Sequence, residues 1–362
     1  MKILFAASRA SHITNFHLPY IDYFKNNGYE VHVITSGEVK EANKLYNIFF
    51  EKKIISVNNI KTIFNIKKIL EKERYDIIIT NTTLVSFLVR MAKQISNVKK
   101  YGKLINIVHG YLFSLRTNPL KKELYIIAEK LCKNVTNRLL IMNEEDYIIA
   151  EKYSLSTTKP IMINGMGLPR PEKYDESIRK KTREKYKISE TDILFTYAGE
   201  LSKRKNQIFL IENLQEVIEK YPDIKLILAG DGAMKEYLEE KIFQNGLSAN
   251  IFVPGYIKEI KKLIFASDYI MSSSISEGLP FNILEAMSFK KPVLASDIKG
   301  HRDLITNAEN GYLFKFEKKD FLYKINMLVS DKNIRERTEK SSKIENYYID
   351  KVFSENVKYL TM

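Results

Sequence analysis

Residues 276–287 read SEGLPFNILEAM, and they link a strand-like apolar run to a helical pattern. The run Tyr269–Met271 comes first, so two carboxylates, Glu277 and Glu285, bracket the expected start of the helix. The first N–H groups of a helix lack intrahelical partners and carry partial positive charge, which attracts phosphate. We therefore expect a strand–loop–helix unit that binds an anionic ligand; a solvated surface loop is the alternative.

The same alternation of strands and helices extends along the chain on both sides of this stretch. Short apolar runs separated by helical patterns favour a parallel sheet covered by helices on both faces. In the first half, the predicted strands are Lys2–Ala7, Glu30–Thr35, Asp76–Thr80, Leu104–Val108 and Arg138–Met142. In the second half, they are Ile193–Ala198, Ile224–Ala229, Asn250–Val253, Tyr269–Ser272 and Pro292–Ser296.

The chain is long enough for two domains, since 362 residues exceed what one hydrophobic core usually accommodates. Closely spaced Gly and Pro residues between Ser154 and Glu176 indicate the linker. We predict an α/β protein with two doubly wound domains and a cleft between them. The first domain is expected at residues 1–164 and the second at 165–342, with a C-terminal helix over 343–362.

Composition narrows the classes of partner. Lys and Arg outnumber Asp and Glu by 58 to 44, a net charge of +14, which suits an anionic small molecule or an anionic membrane. A lysine-rich genome is the alternative explanation. The charge is spread out and lacks zinc-ligand spacing or an aromatic RNA motif, which disfavours nucleic acid. The single cysteine, Cys132, and an N-terminal apolar run too short for a signal peptide predict a cytoplasmic protein.

Histidines follow predicted strands of the first domain, where ligands bind in open parallel sheets. His12 and His17 come after the first strand, and His109 follows the Leu104–Val108 strand. His109 is the strongest candidate, because the adjacent Gly110 allows a ligand to approach the backbone closely. A purely structural role is the alternative for each histidine taken separately.

A cationic cluster follows the first strand of the second domain. Lys203, Arg204 and Lys205 stand just before a predicted helix, where fixed positive charge can neutralise a diphosphate. Lys205, the nearest to the helix, is the first choice and Arg204 the second; a solvated basic turn is the alternative. Gly230 lies in a Gly-Asp-Gly turn that can sit against a ligand, although such turns are common.

Together these motifs resemble the family 4 retaining glycosyltransferases of GT-B architecture, over essentially the whole chain. The most specific part is the Glu-x7-Glu element from Glu277 to Glu285, supported by LAGDG at 228–232 and VPGY at 253–256. The N-terminal segment 7–19 and His109-Gly110-Tyr111 are similar to members that build bacterial capsule, exopolysaccharide or wall glycans.

The resemblance implies a role for each matching residue and no metal or other cofactor besides a UDP-sugar donor. The catalytic residues would be Glu277, His109 and Lys205, and the acceptor-side residues His12 and His17. The donor-binding residues would be Glu285, Arg204, Gly230, Gly255, Tyr256, Gly278, Leu279, Pro280, Phe281 and Asn282. The C-terminal helix would cross back onto the first domain.

Two positions depart from the family pattern. Glu200 stands where many members carry an arginine after the glycine of the phosphate loop, so neutralisation of the diphosphate would depend more on Lys205. Pro169 replaces the aspartate that usually ends a Gly-Val-Asp segment after the linker.

The implied activity is retaining transfer of a hexosyl or N-acetylhexosaminyl unit from a UDP-sugar to a lipid-linked or glycan hydroxyl, in bacterial surface polysaccharide synthesis. Two alternatives remain open on the sequence. One is a nucleotide-sugar 2-epimerase on the same scaffold, and the other is a non-catalytic sugar-nucleotide-binding partner of a polysaccharide assembly complex.

One predicted helix has a surface suited to membrane binding. The predicted helix Leu120–Lys133 puts apolar side chains on one face and lysines elsewhere, which is typical of a helix that binds the inner face of the cell membrane. The apolar residues are Leu120, Leu124, Ile127, Ala128 and Leu131. Packing of this face on the protein's own sheet is the alternative.

Overall fold

The computed structural model describes residues 1–51 and 56–361. The chain divides into two compact units. Unit 1 is Met1–Gly167 with the helix Ile349–Thr361, and unit 2 is Leu168–Tyr348. The boundaries fall later than the expected 164 and 342, because Leu168 pairs with the 347–348 segment: its N–H donates to the Tyr347 carbonyl (2.8 Å).

Unit 1 contains a seven-stranded parallel sheet in the order β3-β2-β1-β4-β5-β6-β7. Its strands are β1 Lys2–Ala6, β2 Glu30–Thr35, β3 Lys44–Asn47, β4 Ile77–Thr80, β5 Lys103–Val108, β6 Arg138–Ile141 and β7 Ile161–Met162. The edge strands β3 and β7 were not predicted. They are short and no residue of either is fully buried, so neither carries the continuous apolar run of a central strand.

The helices of unit 1 complete its α/β architecture. They are α1 Ala10–Phe16, α2 Leu18–Asn26, α3 Val57–Glu73, α4 Thr83–Gln94, α5 Pro119–Leu131 and α6 Glu144–Lys152, with a 3-10 turn at Lys133–Val135. Apolar residues of α3 and α4, such as Ile66 and Val89, pack against the strands in one core cluster. Ile126 of α5 belongs to a second cluster with residues of β6 and α6.

Unit 2 contains a six-stranded parallel sheet in the order β10-β9-β8-β11-β12-β13. Its strands are β8 Ile193–Ala198, β9 Ile224–Ala229, β10 Ile251–Gly255, β11 Tyr269–Ser272, β12 Val293–Ser296 and β13 Gly311–Phe314. Its helices are α7 Glu176–Lys185, α8 Gln207–Asn213, α9 Gln215–Lys220, α10 Lys235–Gln244, α11 Ile260–Ala266, α12 Phe281–Ser288, α13 His301–Leu304, α14 Lys318–Ser330 and α15 Ile334–Lys340. The prediction of two parallel-sheet, Rossmann-like domains is confirmed.

The C-terminal segment is not the single helix expected over 343–362. A 3-10 helix, Lys343–Tyr347, ends unit 2, Tyr348 is extended, and α16 (Ile349–Thr361) belongs to unit 1. Asn356 of α16 donates to the Tyr20 hydroxyl and to the Gly165 carbonyl, both at 2.9 Å. The final residue, Met362, lies outside the described residues.

Candidate functional site

Unit 2 has a topological switch point between β8 and β11. These strands are neighbours, but the chain continues from β8 towards one edge of the sheet and from β11 towards the other. Loops that follow such a pair diverge and leave a crevice at the carboxyl ends of the strands, the usual ligand site of open α/β sheets. The loop after β8 carries Arg204 and Lys205, and the loop after β11 carries Glu277.

Glu277 and the two cations form one ion-pair group across this switch point. Glu277 Oε1 accepts hydrogen bonds from Lys205 Nζ and Arg204 NH1, each at 2.8 Å. The Glu277 and Lys205 side chains are nearly buried, whereas Arg204 is about half exposed. Burial alone would raise the pKa of Glu277, but the adjacent Lys205 and Arg204 outweigh it and lower that pKa to about 2. Glu277 is therefore ionised at neutral pH.

Buried hydroxyl groups hold the two loops together. The Tyr197 hydroxyl donates to the Lys205 carbonyl (2.8 Å), and Ser273 Oγ donates to the Asn206 carbonyl (2.8 Å). The Ile275 N–H donates to the Arg204 carbonyl at 2.9 Å. These bonds fix the backbone on both sides of the ion-pair group, so the charged ends are held in place before any ligand binds.

Three glycines lie side by side at the ends of β8, β9 and β10. The Gly199 N–H donates to the Ala229 carbonyl and the Gly230 N–H to the Gly255 carbonyl, each at 2.9 Å. A Cβ at Gly230 would lie only 2.0 Å from the Gly199 oxygen. The carboxylate of the intervening Asp231 accepts from the Tyr256 N–H (3.2 Å). The Lys205 and Asp231 side chains border this edge: Lys205 Cε lies 3.2 Å from the Cβ position of Gly199, and Asp231 Oδ1 lies 3.1 Å from that of Gly255, while the Tyr256 side chain is exposed.

The predicted donor loop wraps the start of α12. The Gly278 carbonyl packs so closely against Gly300 that a Cβ there would lie 2.5 Å from it. Leu279 is largely buried, and Pro280 is the N-cap and supplies no side-chain capping bond. The helix begins at Phe281, which is partly exposed. The helix thus starts between Glu277 and Glu285, as the sequence predicts.

Two polar side chains of α12 are held in partly dehydrated surroundings. The amide oxygen and nitrogen of Asn282 are both buried and make no hydrogen bond within the described residues. Glu285, one turn further along, is partly exposed, and burial raises the pKa of its carboxyl group. A carboxylate without a compensating cation in contact is suited to accept hydrogen bonds from ligand hydroxyls.

Unit 1 has its own switch point, between β1 and β4, and polar groups collect there. His12 of α1 follows β1, Asn81 follows β4 and His109 follows β5. The Nε2 atoms of His12 and His109 lie 3.3 Å apart, and Asn81 Oδ1 lies 2.9 Å from His109 Nε2. Both imidazoles are partly exposed. The structure thus brings together the two histidines that the sequence singled out, with Asn81 as a third member.

His17 differs from the other two histidines. Its side chain is 0% exposed, because α1 ends there and the ring packs near Phe5 and Tyr20. The expectation that His17 faces an acceptor therefore needs correction, since the ring is enclosed beside His12. Burial lowers the pKa of His17 and of His109 well below the usual value, and that of His12 to about 4, so all three are neutral at pH 7.

The predicted membrane helix, α5, turns its apolar face away from the core. Asn118 caps its N-terminus and Pro119 occupies the first turn. Ile126 is fully buried, and Glu129 forms a two-pronged ion pair with the buried Arg90 (2.8 and 2.9 Å). The side chains on the opposite face are exposed: Leu120 81%, Leu124 69%, Ile127 47% and Leu131 55%. The helix does pack on its own sheet, through Ile126 beside β6, but these four side chains of the predicted face do not take part in that packing, and Ala128 is partly exposed.

No helix within residues 1–51 and 56–361 combines the length and apolar character of a membrane span. The contacts of Tyr197 and Ser273 were not predicted as parts of the site. Tyr197 lies in the buried strand β8 (ILFTYA), where its position is typical of a core residue. Only the fold could therefore reveal that its hydroxyl holds the Lys205 loop.

Two family models match the chain, one in each unit. "Glycosyl transferase 4-like" matches residues 2–143, and "Glycosyl transferases group 1" matches residues 178–345. The chain is 34% identical over 322 residues to the Bacillus subtilis (strain 168) protein named "Putative glycosyltransferase EpsD", covering 87% of this chain and 83% of that protein.

A second relative and a solved structure agree with these matches. The Escherichia coli "UDP-Gal:alpha-D-GlcNAc-diphosphoundecaprenol alpha-1,3-galactosyltransferase" is 27% identical over 318 residues, covering 82% of this chain and 81% of that protein. The crystal structure of Anabaena Alr3699/HepE in complex with UDP and glucose superposes with a TM-score of 0.79 at 19% identity, covering 100% of this chain and 99% of that one. This structural likeness supports the fold.

Proposed function

The chain belongs to the group 1 glycosyltransferases, with GT-B architecture and a place in bacterial polysaccharide synthesis, and on that basis we propose its reaction. Unit 2 binds a UDP-sugar, and the enzyme transfers a hexosyl or N-acetylhexosaminyl unit, with retention at the anomeric carbon. The acceptor is a hydroxyl group of a lipid-linked sugar or a glycan.

The observation that carries this proposal is the ion-pair group of Glu277, Lys205 and Arg204 at the switch point of unit 2. Two cations against one carboxylate leave excess positive charge beside a glycine-lined edge. A nucleoside diphosphate brings negative charge, and glycines along the edge allow a ligand to approach the backbone closely. We assign the diphosphate to Lys205 and Arg204, the ribose to Glu285, and the border of the base to Gly255 and Tyr256.

The same group suits a leaving-group role. As the bond between the sugar's anomeric carbon and the phosphate oxygen breaks, negative charge grows on UDP, and prepositioned cations stabilise that charge in the transition state. The acceptor oxygen bonds to the same face of that carbon, and its proton passes to a phosphate oxygen of the departing UDP. No metal ion is required in this scheme, because Lys205 and Arg204 supply the positive charge.

Glu277 is assigned to the sugar as a hydrogen-bond acceptor. A carboxylate with a pKa of about 2 is a poor general acid at neutral pH, so a hydrolase-like role in protonating the leaving oxygen does not fit it. Its ion pairs with two cations also reduce its strength as a nucleophile. His109 is assigned to the sugar and His12 to the acceptor, as the resemblance to the family implies.

We further propose that the acceptor is lipid-linked and that α5 holds the enzyme on an anionic membrane at its cytoplasmic face. The E. coli relative is named for a diphosphoundecaprenol-linked acceptor. The exposed leucine face of α5 is flanked by Lys121 and Lys130, both exposed. The apolar side chains can be buried in the bilayer interface, and the lysines beside them are attracted to anionic lipid head groups.

The decisive experiment is a transfer assay with purified protein, a panel of UDP-sugars, and lipid-linked and glycan acceptors, in EDTA. We expect UDP to be released only when an acceptor is present. We also expect NMR of the product to show a glycosidic linkage with the same anomeric configuration as in the donor. Epimerised donor without acceptor would favour the 2-epimerase, and binding without turnover the non-catalytic partner. An inverted linkage would refute retention, and activity lost in EDTA and restored by Mg²⁺ would refute metal independence.

A further inference from the structure

The three histidines of unit 1 form a compact cluster of nitrogen ligands. One ring nitrogen from each of His12, His17 and His109 lies within 4.8 Å of those of the other two. The closest pair, His12 Nε2 and His109 Nε2, is 3.3 Å apart. Two imidazole nitrogens bound to one tetrahedral Zn²⁺ at about 2.0–2.1 Å stand roughly 3.4 Å apart. The closest pair already has this separation, and the third nitrogen lies within 4.8 Å of both.

His17 provides an independent indication of a ligand. Both of its ring nitrogens are buried, and neither forms a hydrogen bond within the described residues. A buried polar group without a partner is unfavourable by about 1–3 kcal/mol, so native structures seldom keep one without a purpose. A metal ion bound to one ring nitrogen of His17 would give that nitrogen a partner.

The protonation state of the cluster suits metal binding. Metal ligation requires a neutral imidazole, and burial lowers the pKa of all three rings. Asn81 Oδ1, 2.9 Å from His109 Nε2, is placed to serve as an oxygen ligand once a metal replaces the proton on that nitrogen. Aromatic rings enclose one side, with Phe16 at 5.0 Å from the His12 ring. His12 and His109 are partly exposed.

We propose that His12, His17 and His109 form a binding site for Zn²⁺ or a similar transition metal in unit 1. The ion is not a cofactor: it occupies the nitrogens of His109 and His12, which we assign to the sugar and the acceptor, so its binding inhibits transfer. The inhibitory part rests on the proposed transferase reaction, whereas the binding part does not. Nitrogen ligands select Zn²⁺, Co²⁺, Ni²⁺ or Cu²⁺ over Mg²⁺ and Ca²⁺, which prefer oxygen.

Binding is tested without any activity measurement. Metal-free protein is titrated with Co²⁺, which gives visible absorption bands when bound in tetrahedral geometry, and Zn²⁺ is then added in competition. One ion per chain is expected, displaced by Zn²⁺ and not by Mg²⁺. His12→Gln and His109→Gln should each weaken binding at least tenfold. His32→Gln, which changes a histidine of the same unit outside the cluster, should leave it unchanged.

Folding of each variant is checked by circular dichroism, and a variant that fails is replaced by the corresponding Ala substitution. Wild-type protein without stoichiometric Co²⁺ binding, or a His12→Gln, His109→Gln double variant that binds as wild type, would overturn the site. In a separate arm, Zn²⁺ should inhibit sugar transfer and EDTA should reverse the inhibition. Stoichiometric binding with unaltered transfer would overturn the inhibitory role and leave the transferase proposal standing.

Discussion

Lys205 Nζ lies 2.8 Å from Glu277 Oε1, although the two residues belong to loops that follow different strands of unit 2. Their strands, β8 and β11, are hydrogen-bonded neighbours at the switch point. Without a ligand, the carboxylate that we assign to the sugar is therefore held by the cations that we assign to the diphosphate. Sugar and phosphate binding are coupled through one ion pair, so a change in either residue should affect both.

The first prediction concerns Glu277→Gln. The substitution removes the charge that orients Lys205 and Arg204 and weakens the contact to the sugar in the transition state. We expect kcat/KM to fall about 10²–10³-fold, the range seen when one prepositioned polar contact of a transition state is removed. Steady-state transfer assays measure it, with the exposed Glu239→Gln of α10 as the control. Turnover as in wild type would remove Glu277 from the mechanism.

The second prediction concerns the glycine-lined edge. Gly230→Ala places a Cβ 2.0 Å from the Gly199 oxygen, so the β8 and β9 loops must separate. We expect a loss of about 2–5 kcal/mol in the free energy of unfolding, from overpacking and backbone strain, and weaker UDP binding. Urea unfolding and calorimetric UDP titration measure these quantities.

Gly246→Ala is the matched control for that substitution. Gly246 lies in the same unit with a left-handed φ of +68°, but nothing stands within 4 Å of its Cβ position. For Gly246→Ala, the free energy of unfolding should fall only by about 1–2 kcal/mol, the cost of holding a residue with a Cβ in the left-handed conformation. The affinity for UDP should not change. Equal effects of the two substitutions would show that close approach of the β8 and β9 loops is unimportant.

Much of this arrangement could be predicted from the sequence, and the exceptions have physical causes. Glu277, Lys205 and His109 were singled out because each follows an apolar strand, and that rule depends only on local pattern. Their partners could not be found in this way. The Lys205–Glu277 contact requires β8 and β11 to be adjacent, and strand order in a parallel sheet is set by packing. The short edge strands β3 and β7 lack the apolar run that reveals central strands.

The periodicity of the sequence also did not decide whether the leucine face of α5 points to the core or to the solvent. An amphipathic helix shows which residues share a face, but not whether that face meets the core or the solvent. Here the buried Glu129 pairs with Arg90, so a charged residue occupies the inner side and the leucines point out. An ion pair between α4 and α5 thus decides the orientation, and the sequence of α5 alone does not contain that information.

The third prediction follows from this orientation. We expect the protein to float with liposomes that contain anionic lipid, and to do so less with neutral liposomes or at high salt, since exposed charges are screened. A Leu120→Ser, Leu124→Ser double variant should lower partitioning at least tenfold, because two exposed leucines lose their favourable transfer. Phe243→Ser removes an apolar side chain of unit 2 that is 78% exposed and should not change partitioning. Equal flotation of both variants would exclude α5 as the contact.

The last prediction concerns stability at acidic pH. His301 is fully buried in unit 2: its Nδ1–H donates to the Ser296 carbonyl (2.8 Å), and its Nε2 lies 3.2 Å from Ser272 Oγ. Burial lowers the pKa of His301 from 6.5 to about 4. Between these two values the unfolded chain binds a proton that the folded chain does not, so the free energy of unfolding falls as the pH falls below about 6.5.

The contribution of His301 to this loss is about 2 kcal/mol at pH 5, taking 1.36 kcal/mol per pKa unit. Urea unfolding of wild type and His301→Gln at pH 7 and pH 5 measures it. At pH 7 the variant should be less stable than wild type, since it loses a buried, hydrogen-bonded ring. Between pH 7 and pH 5, however, its free energy of unfolding should fall by less than that of wild type. The buried histidines of unit 1 give a pH dependence of the same sign, which both proteins share and which cancels in the comparison. Equal pH dependence in the two proteins would mean that His301 protonates in the folded state near its normal pKa, against the burial that the structure gives it.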